Sequence, residues 1–166
     1  MSQTNVALDA DTAPDVDTII DAIAKGLSIG EIAGMEPEAL EAGYNLAFNL
    51  YNAGNFKDAE TLFGGLCLYH HRDERFWIGL GGCRQALGNF TAAIDAYDMA
   101  CVAGTLKNPA PSVHAGLCYL KLGDTENARA LFDAALELGD ENNPTHRAYH
   151  EKARAMLQVI DEGATS

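Results

Sequence analysis

Residues 44–67 read YNLAFNLYNAGNFKDAETLFGGLC, residues 77–101 read WIGLGGCRQALGNFTAAIDAYDMAC, and residues 114–138 read HAGLCYLKLGDTENARALFDAALEL. Laid over one another, the three stretches share one register. Gly54, Gly88 and Gly123 are 34 and 35 residues apart. Ala59, Ala93 and Ala128 follow each glycine by five residues, Phe63, Tyr97 and Phe132 by nine, and Leu66, Ala100 and Ala135 by twelve. A period of 34 in this order is the tetratricopeptide pattern of helix, glycine-centred turn, helix. Each fixed position has a packing reason. The glycine ends the first helix, where a left-handed residue is cheap only without a Cβ. The alanine lets two helices approach, and the aromatic beyond it fills the gap between them.

The expected fold is therefore all-α, a tetratricopeptide superhelix of three helix hairpins over residues 35–142, with repeats at about 40–73, 74–107 and 108–142. The third register carries one extra residue, placed in the Asn108-Pro109-Ala110-Pro111 connection, where prolines suit the first turn of a new helix. A last amphipathic stretch over residues 143–162, with Ala148, Ala153, Met156, Leu157 and Ile160 as its apolar stripe, is expected to cap the solenoid. Ahead of the repeats, residues 16–34 form an acidic helical region with an apolar face of Val16, Ile19, Ile20, Ile23, Leu27 and Ile32, broken near Leu27–Gly30. Residues 1–15 mix Asp, Thr, Ala and Pro14 without periodicity and read as a disordered acidic tail.

Composition narrows the function. The chain has 166 residues, enough for one domain with a sizeable core. Its 24 acidic and 11 basic side chains give a net charge of −13. That argues against nucleic acid, which needs a basic face to displace counterions, and against adsorption to anionic membrane. No apolar run of about 18 residues could cross a bilayer, and the N-terminus lacks the basic and apolar regions of a secretory signal. A cytoplasmic location is expected.

No chemistry-bearing motif emerges. Cys67, Cys83, Cys101 and Cys118 contain no C-x-x-C pair. They fall at two repeat positions that pack between helices, so they read as buried thiols acting as small hydrophobes. His146 and His150 share a helix face but lack a third ligand, and read as a surface pair. His70 and His71 fall in a turn, where exposed histidines are ordinary. Neither a nucleophile elbow nor a phosphate-cradling loop is present. The reading is a binding protein with no metal and no cofactor.

In a tetratricopeptide array the first helix of each hairpin lines the concave side. Projecting the period gives groove candidates Tyr44, Phe48, Tyr51 and Asn52 from the first repeat. The second contributes Ile78, Gly82, Gln85 and Ala86, the third Val113, Leu117, Leu120 and Lys121. Tyr44, Phe48 and Tyr51 share one helical face. Such a surface suits an extended peptide: rings supply anchor pockets, small residues admit a backbone, and amides satisfy it. Phe56, Phe63 and Phe132 are assigned instead to the core.

The run LAFNLYNAGNFKDAETLFGGLC followed by RFWIGLGGCRQALGNFTAAIDAY resembles the class II chaperones of type III secretion translocators, the SycD/LcrH/IpgC/SicA type. The similarity covers about residues 16–160 and is strongest at 44–97. Phe76–Gln85 and Ala47-Phe48-Asn49 are more specific than any generic repeat signature, whereas the third repeat matches more loosely and the first fifteen residues match nothing. The resemblance implies a small bacterial cytoplasmic chaperone that binds hydrophobic translocator proteins before secretion, holding an extended segment in the concave groove. It also implies a homodimer through the N-terminal helical region, here Ile19, Ile20, Ile23 and Leu27. The competing reading is a generic tetratricopeptide adaptor that captures a C-terminal carboxylate with clustered Lys, Arg and Asn. The projected groove offers only Asn52 and Lys121 for that task.

Overall fold

A computed structural model describes residues 16–164; the acidic tail expected over residues 1–15 lies outside the described residues. Nine helices and no strand occur among the described residues. Two short helices, α1 (Val16–Ala24) and α2 (Ile29–Ile32), precede three antiparallel hairpins. These are α3 (Pro37–Asn52) with α4 (Phe56–Tyr69), α5 (Glu74–Ala86) with α6 (Phe90–Ala103), and α7 (Ala110–Leu122) with α8 (Thr125–Leu136). The final helix is α9 (Pro144–Ala164). From α3 to α9 every helix packs on its sequence neighbours, with further contacts of α3 on α5 and of α7 on α9. That nearest-neighbour pattern is the solenoid the period demands.

The turn inside each hairpin is built the same way three times. Gly54, Gly88 and Gly123 have φ of +79°, +78° and +79°. Around Gly54, its own N–H donates to the Tyr51 carbonyl at 3.0 Å, and the next residue, Asn55, donates to the Leu50 carbonyl at 2.9 Å. The same pair of bonds recurs from Gly88 and Asn89 to Gln85 and Arg84, and from Gly123 and Asp124 to Leu120 and Tyr119. This crossed pair satisfies carbonyls that a helix end leaves open, and it requires the left-handed residue. The residue after the glycine also starts the next helix. Asp124 accepts from the Asn127 N–H at 3.1 Å, and Asn89 from the Ala92 N–H at 3.5 Å.

The repeating alanines and rings form the core. Ala59, Ala93 and Ala128 are fully buried, as are Phe63, Tyr97 and Phe132. Small residues on the facing helix make room for the rings. A Cβ on Gly81 would stand 2.6 Å from the Tyr97 ring, and one on Gly116 would stand 2.7 Å from Phe132. The first repeat has Ala47 at the corresponding position, fully buried against the Phe63 cluster.

The cysteines are all free. Cys67, Cys83 and Cys118 are buried as expected; Cys101 departs, being half-buried with its sulfur 3.6 Å from the Ser112 hydroxyl. Burial pushes the Cys67 thiol up to about 12 and the Cys83 and Cys118 thiols to about 11, so none is a thiolate at neutral pH.

The cap differs from expectation in two details. His146 and His150 are not a surface pair. His150 is buried with Nε2 2.7 Å from the Leu138 carbonyl oxygen, and His146 Nδ1 accepts from the Asp140 N–H at 3.0 Å. Together they fasten the α8–α9 turn to α9, replacing backbone bonds that the turn around Gly139 (φ +87°) cannot make. Ala148 is exposed, and the apolar stripe of α9 runs through Tyr149, Ala153, Met156, Leu157 and Ile160.

The N-terminal region is anchored at α2. The buried Ser28 caps this turn, exchanging hydrogen bonds with Glu31 in a reciprocal capping box. The same Ser28 hydroxyl lies 3.2 Å from His70 Nδ1, and Glu31 pairs with Arg72 at 2.8 Å. Hydrogen bonds from Ser28 and the charge of Arg72 hold the Glu31 carboxyl below its ordinary range, against a smaller opposing push from burial. The α2 turn is thereby pinned to the α4–α5 corner. α1 packs on α2 and leaves Ile20 59% exposed, with Ile19 and Leu27 half-buried. The side chain of Ile23 lies outside the described residues.

Candidate functional site

The first helices of the hairpins, α3, α5 and α7, line an open groove of about 620 Å³ that ends at α9. Nine of the twelve sequence-derived candidates face it: Tyr44, Phe48 and Tyr51 from α3, Ile78, Gly82, Gln85 and Ala86 from α5, and Leu117 and Lys121 from α7.

The α3 end is aromatic. Tyr44 stacks on Phe48 with centroids 6.1 Å apart, and it also meets Phe63 and Phe76, each at 6.0 Å. The Arg75 guanidinium lies 4.8 Å over the Tyr44 ring. Arg75 in turn bridges Asp73 at 2.8 Å and Glu41 at 3.1 Å, so its charge is already matched. Tyr51 packs edge-on against Phe56 at 5.3 Å. Phe48 stands furthest out, 47% exposed. A ring with that much open surface next to a concavity is a ready anchor site.

The floor in the middle is glycine. A Cβ on Gly79 would fall 2.4 Å from the Phe63 ring, so the missing side chain is what brings Phe63 to the groove. At Gly82 a Cβ would meet Tyr51 at 3.4 Å, an ordinary contact. Gly82 therefore keeps the groove deep without being required by packing.

The α7 end is polar and basic. Tyr97 donates to Gln85 Oε1 at 2.7 Å. His114 stacks on Tyr97 at 5.3 Å, meets Tyr149 edge-on at 5.6 Å, and has Nε2 3.4 Å from the Tyr149 hydroxyl. Lys121 and Lys152 complete this end. Burial, aided by the nearby Lys152 charge, lowers His114 to about 4, so the ring is neutral at pH 7. A histidine whose folded value lies below its unfolded one favours folding above the unfolded value and loses that contribution as pH falls through the window between them. From 6.5 down to about 4, the loss approaches about 3 kcal/mol. Urea midpoints of the native chain should therefore fall faster than those of His114→Gln between pH 7 and pH 4.5. Parallel curves would remove this account of His114.

Three candidates, Val113, Asn52 and Leu120, do not face the groove. Val113 is fully buried with Phe132, Ala153 and Ile160, because α9 covers α7 at this level; His114, one residue on, takes its place in the groove wall. Asn52, the last residue of α3, is exposed but does not line the groove. Leu120 is half-buried against the Phe132 cluster. Phe63, assigned to the core, is both buried and part of the floor. Arg75, Gly79, Phe90, Tyr97, His114 and Lys152 were not foreseen. Gly79 sits inside the glycine-rich run 76–85 and could have been found there; Lys152 lies on the cap, where the repeat period has no reach.

The groove is fitted for an extended polypeptide. Its walls are mainly apolar, its floor admits a backbone, and among the described residues no three His, Cys, Asp or Glu side chains gather as metal ligands. No helix among the described residues is long and apolar enough to cross a membrane.

Comparison with known proteins agrees with this architecture. Tetratricopeptide repeat families match residues 35–111 and 113–138. The Low calcium response locus protein H of Yersinia pseudotuberculosis is 34% identical over 135 residues, which cover 81% of this chain and 79% of that protein. The crystal structure of a T3SS complex from Aeromonas hydrophila superposes with a TM-score of 0.83 at 33% identity, covering 90% of this chain and 98% of that one. The Yersinia enterocolitica type III secretion chaperone SycD, crystallised with a peptide of the translocator YopD, gives a TM-score of 0.72 at 35% identity, covering 78% and 98%. By sequence, repeat architecture and groove, the chain belongs to the class II translocator chaperones of type III secretion, which are built on tetratricopeptide repeats.

Proposed function

We propose that this chain is a bacterial cytoplasmic chaperone that holds an extended segment of a hydrophobic translocator protein in the α3–α5–α7 groove and keeps it soluble until secretion. The observation that carries this reading is the ring pair Phe48 and Tyr51 beside a glycine floor. It offers anchor pockets and backbone access in one concavity, in a family whose member SycD is crystallised with a translocator peptide. The chain acts by binding, not by catalysis. Anchoring apolar side chains in the groove would remove from water the surface through which translocators associate prematurely. Co-expression with a hydrophobic translocator protein, followed by affinity capture of the full chain, tests the proposal. A stoichiometric soluble complex is expected, and translocator that stays insoluble with or without this chain would refute it.

The exposed Ile20 on α1 supports self-association through the N-terminal region, to which the sequence also assigns Ile19, Ile23 and Leu27. In a two-fold interface each side chain is buried twice. At about 2 kcal/mol per buried isoleucine, Ile20→Asp should raise the dimer dissociation constant at least about a hundredfold. Sedimentation should then shift to monomer while helicity is kept. Identical monomeric behaviour of wild type and variant would exclude the interface.

A further inference from the structure

The charge of the groove is opposite to that of the molecule. The chain carries 24 acidic side chains against 11 basic ones, yet none of the sixteen groove-lining residues is acidic and three are basic. The three differ in kind. Arg75, near the aromatic end, is matched by Asp73 and Glu41. Lys121 and Lys152, at the other end, have no carboxylate partner among the described residues, although carboxylates pair with nearly every arginine of the chain. They come from different elements, α7 and the cap α9, and face one groove. The neighbouring His114 adds no competing positive charge at neutral pH. The groove thus has direction: rings and a spent charge at α3, and unspent positive charge at α7–α9.

Resting on the chaperone reading above, we propose that the bound translocator segment is polarised to match. Its apolar side chains sit against Phe48 and Tyr51, and an aspartate or glutamate side chain within the segment sits at the third-repeat end against Lys121 and Lys152. Charge complementarity is the argument. Across an interface, opposite charges set register and reject wrong partners more than they add raw affinity. A groove whose anchors are rings alone would accept apolar segments in either direction. A carboxylate read at one end fixes one direction and discriminates against segments that are merely hydrophobic.

The test uses the full chain and a fluorescent peptide spanning the translocator segment that limited proteolysis of the co-expressed complex leaves protected. Four peptides are compared: native, with Asp and Glu changed to Asn and Gln, with its C-terminus amidated, and with the acidic residues changed to Lys. Lys121→Gln and Lys152→Gln, both at exposed positions, are each expected to weaken the native peptide about three- to tenfold at low salt, less at high salt. The Asn/Gln peptide should bind wild type weakly and be indifferent to both lysine variants. Lys152→Glu should bind the Lys-bearing peptide better than wild type does. C-terminal amidation should change nothing. A loss on amidation equal to that of the Asn/Gln peptide would overturn the proposal in favour of terminus capture. Unchanged binding by both lysine variants, with binding lost in Tyr51→Ala, would overturn the polarity while leaving the groove reading intact. Unchanged binding in Tyr51→Ala as well would overturn both together.

Discussion

Phe48→Ala and Tyr51→Ala should each weaken translocator binding about thirtyfold while shifting the melting temperature little. The arithmetic is that of an interface anchor, whose truncation costs about 2 kcal/mol or more of binding. Phe48 is half-exposed in the free chain, and Tyr51 is a peripheral member of the first core cluster, so neither removes much buried area from the fold. Tyr44 is different. The repeat period alone places it with the other two on the groove face. The structure puts it in contact with Phe48, Phe63 and Phe76, beneath Arg75. Tyr44→Ala is therefore expected to lower both affinity and stability. The readout is a pair of measurements on each variant: affinity for the translocator segment, and a denaturation midpoint. Normal binding by Phe48→Ala and Tyr51→Ala would show that clients dock elsewhere. Collapse of the fold in both would show that the rings are core.

The hairpins were readable because three registers repeat, and a residue that recurs every 34 positions has a structural cause common to all three. The left-handed glycines, the buried alanines and the three rings followed directly. The groove was readable only where the repeats stay equivalent. In α3 and α5 the projected residues line the groove, except Asn52 at the end of α3. At α7 the cap breaks the equivalence: α9 covers Val113, and the wall passes to His114. Lys152 and Tyr149, on α9, belong to no repeat, so no periodic argument could bring them to the site. The connection between the second and third hairpins escaped for a local reason. The extra residue falls by sequence in the proline pair, and Pro111 does lie in the first turn of α7. The chain turns earlier, through Thr105 and Leu106, both left-handed at φ of 55° and 58° although neither is a glycine. The histidines of α9 escaped because an i, i+4 pair looks the same in sequence whether it faces water or fastens a turn.

Phe132→Ala should be the most destabilising single change considered, at about 3–5 kcal/mol, or a fall of about 10 °C in melting temperature for a domain of this size. Phe132 is fully buried and joins three elements, packing with Val113 of α7, Ala128 and Ala135 of α8, and Ala153 and Ile160 of α9. Its ring lies over Gly116, where an added Cβ would stand 2.7 Å away. Gly116→Ala should therefore also destabilise, by about 1–3 kcal/mol, although alanine is the better helix former. The two losses should not add. Phe132→Leu removes the ring edge that Gly116→Ala would strike, so the double variant should be more stable than the sum of its parts predicts. Because solenoid contacts run between neighbours, the damage should be graded along the chain. Amide hydrogen exchange should accelerate in α8 and α9 before it does in α3 and α4. Strict additivity of the two substitutions would deny the glycine–ring fit. Uniform acceleration from α3 to α9 would mean that the three hairpins and the cap unfold as one unit, and that the cap stabilises the groove's aromatic end as much as its own.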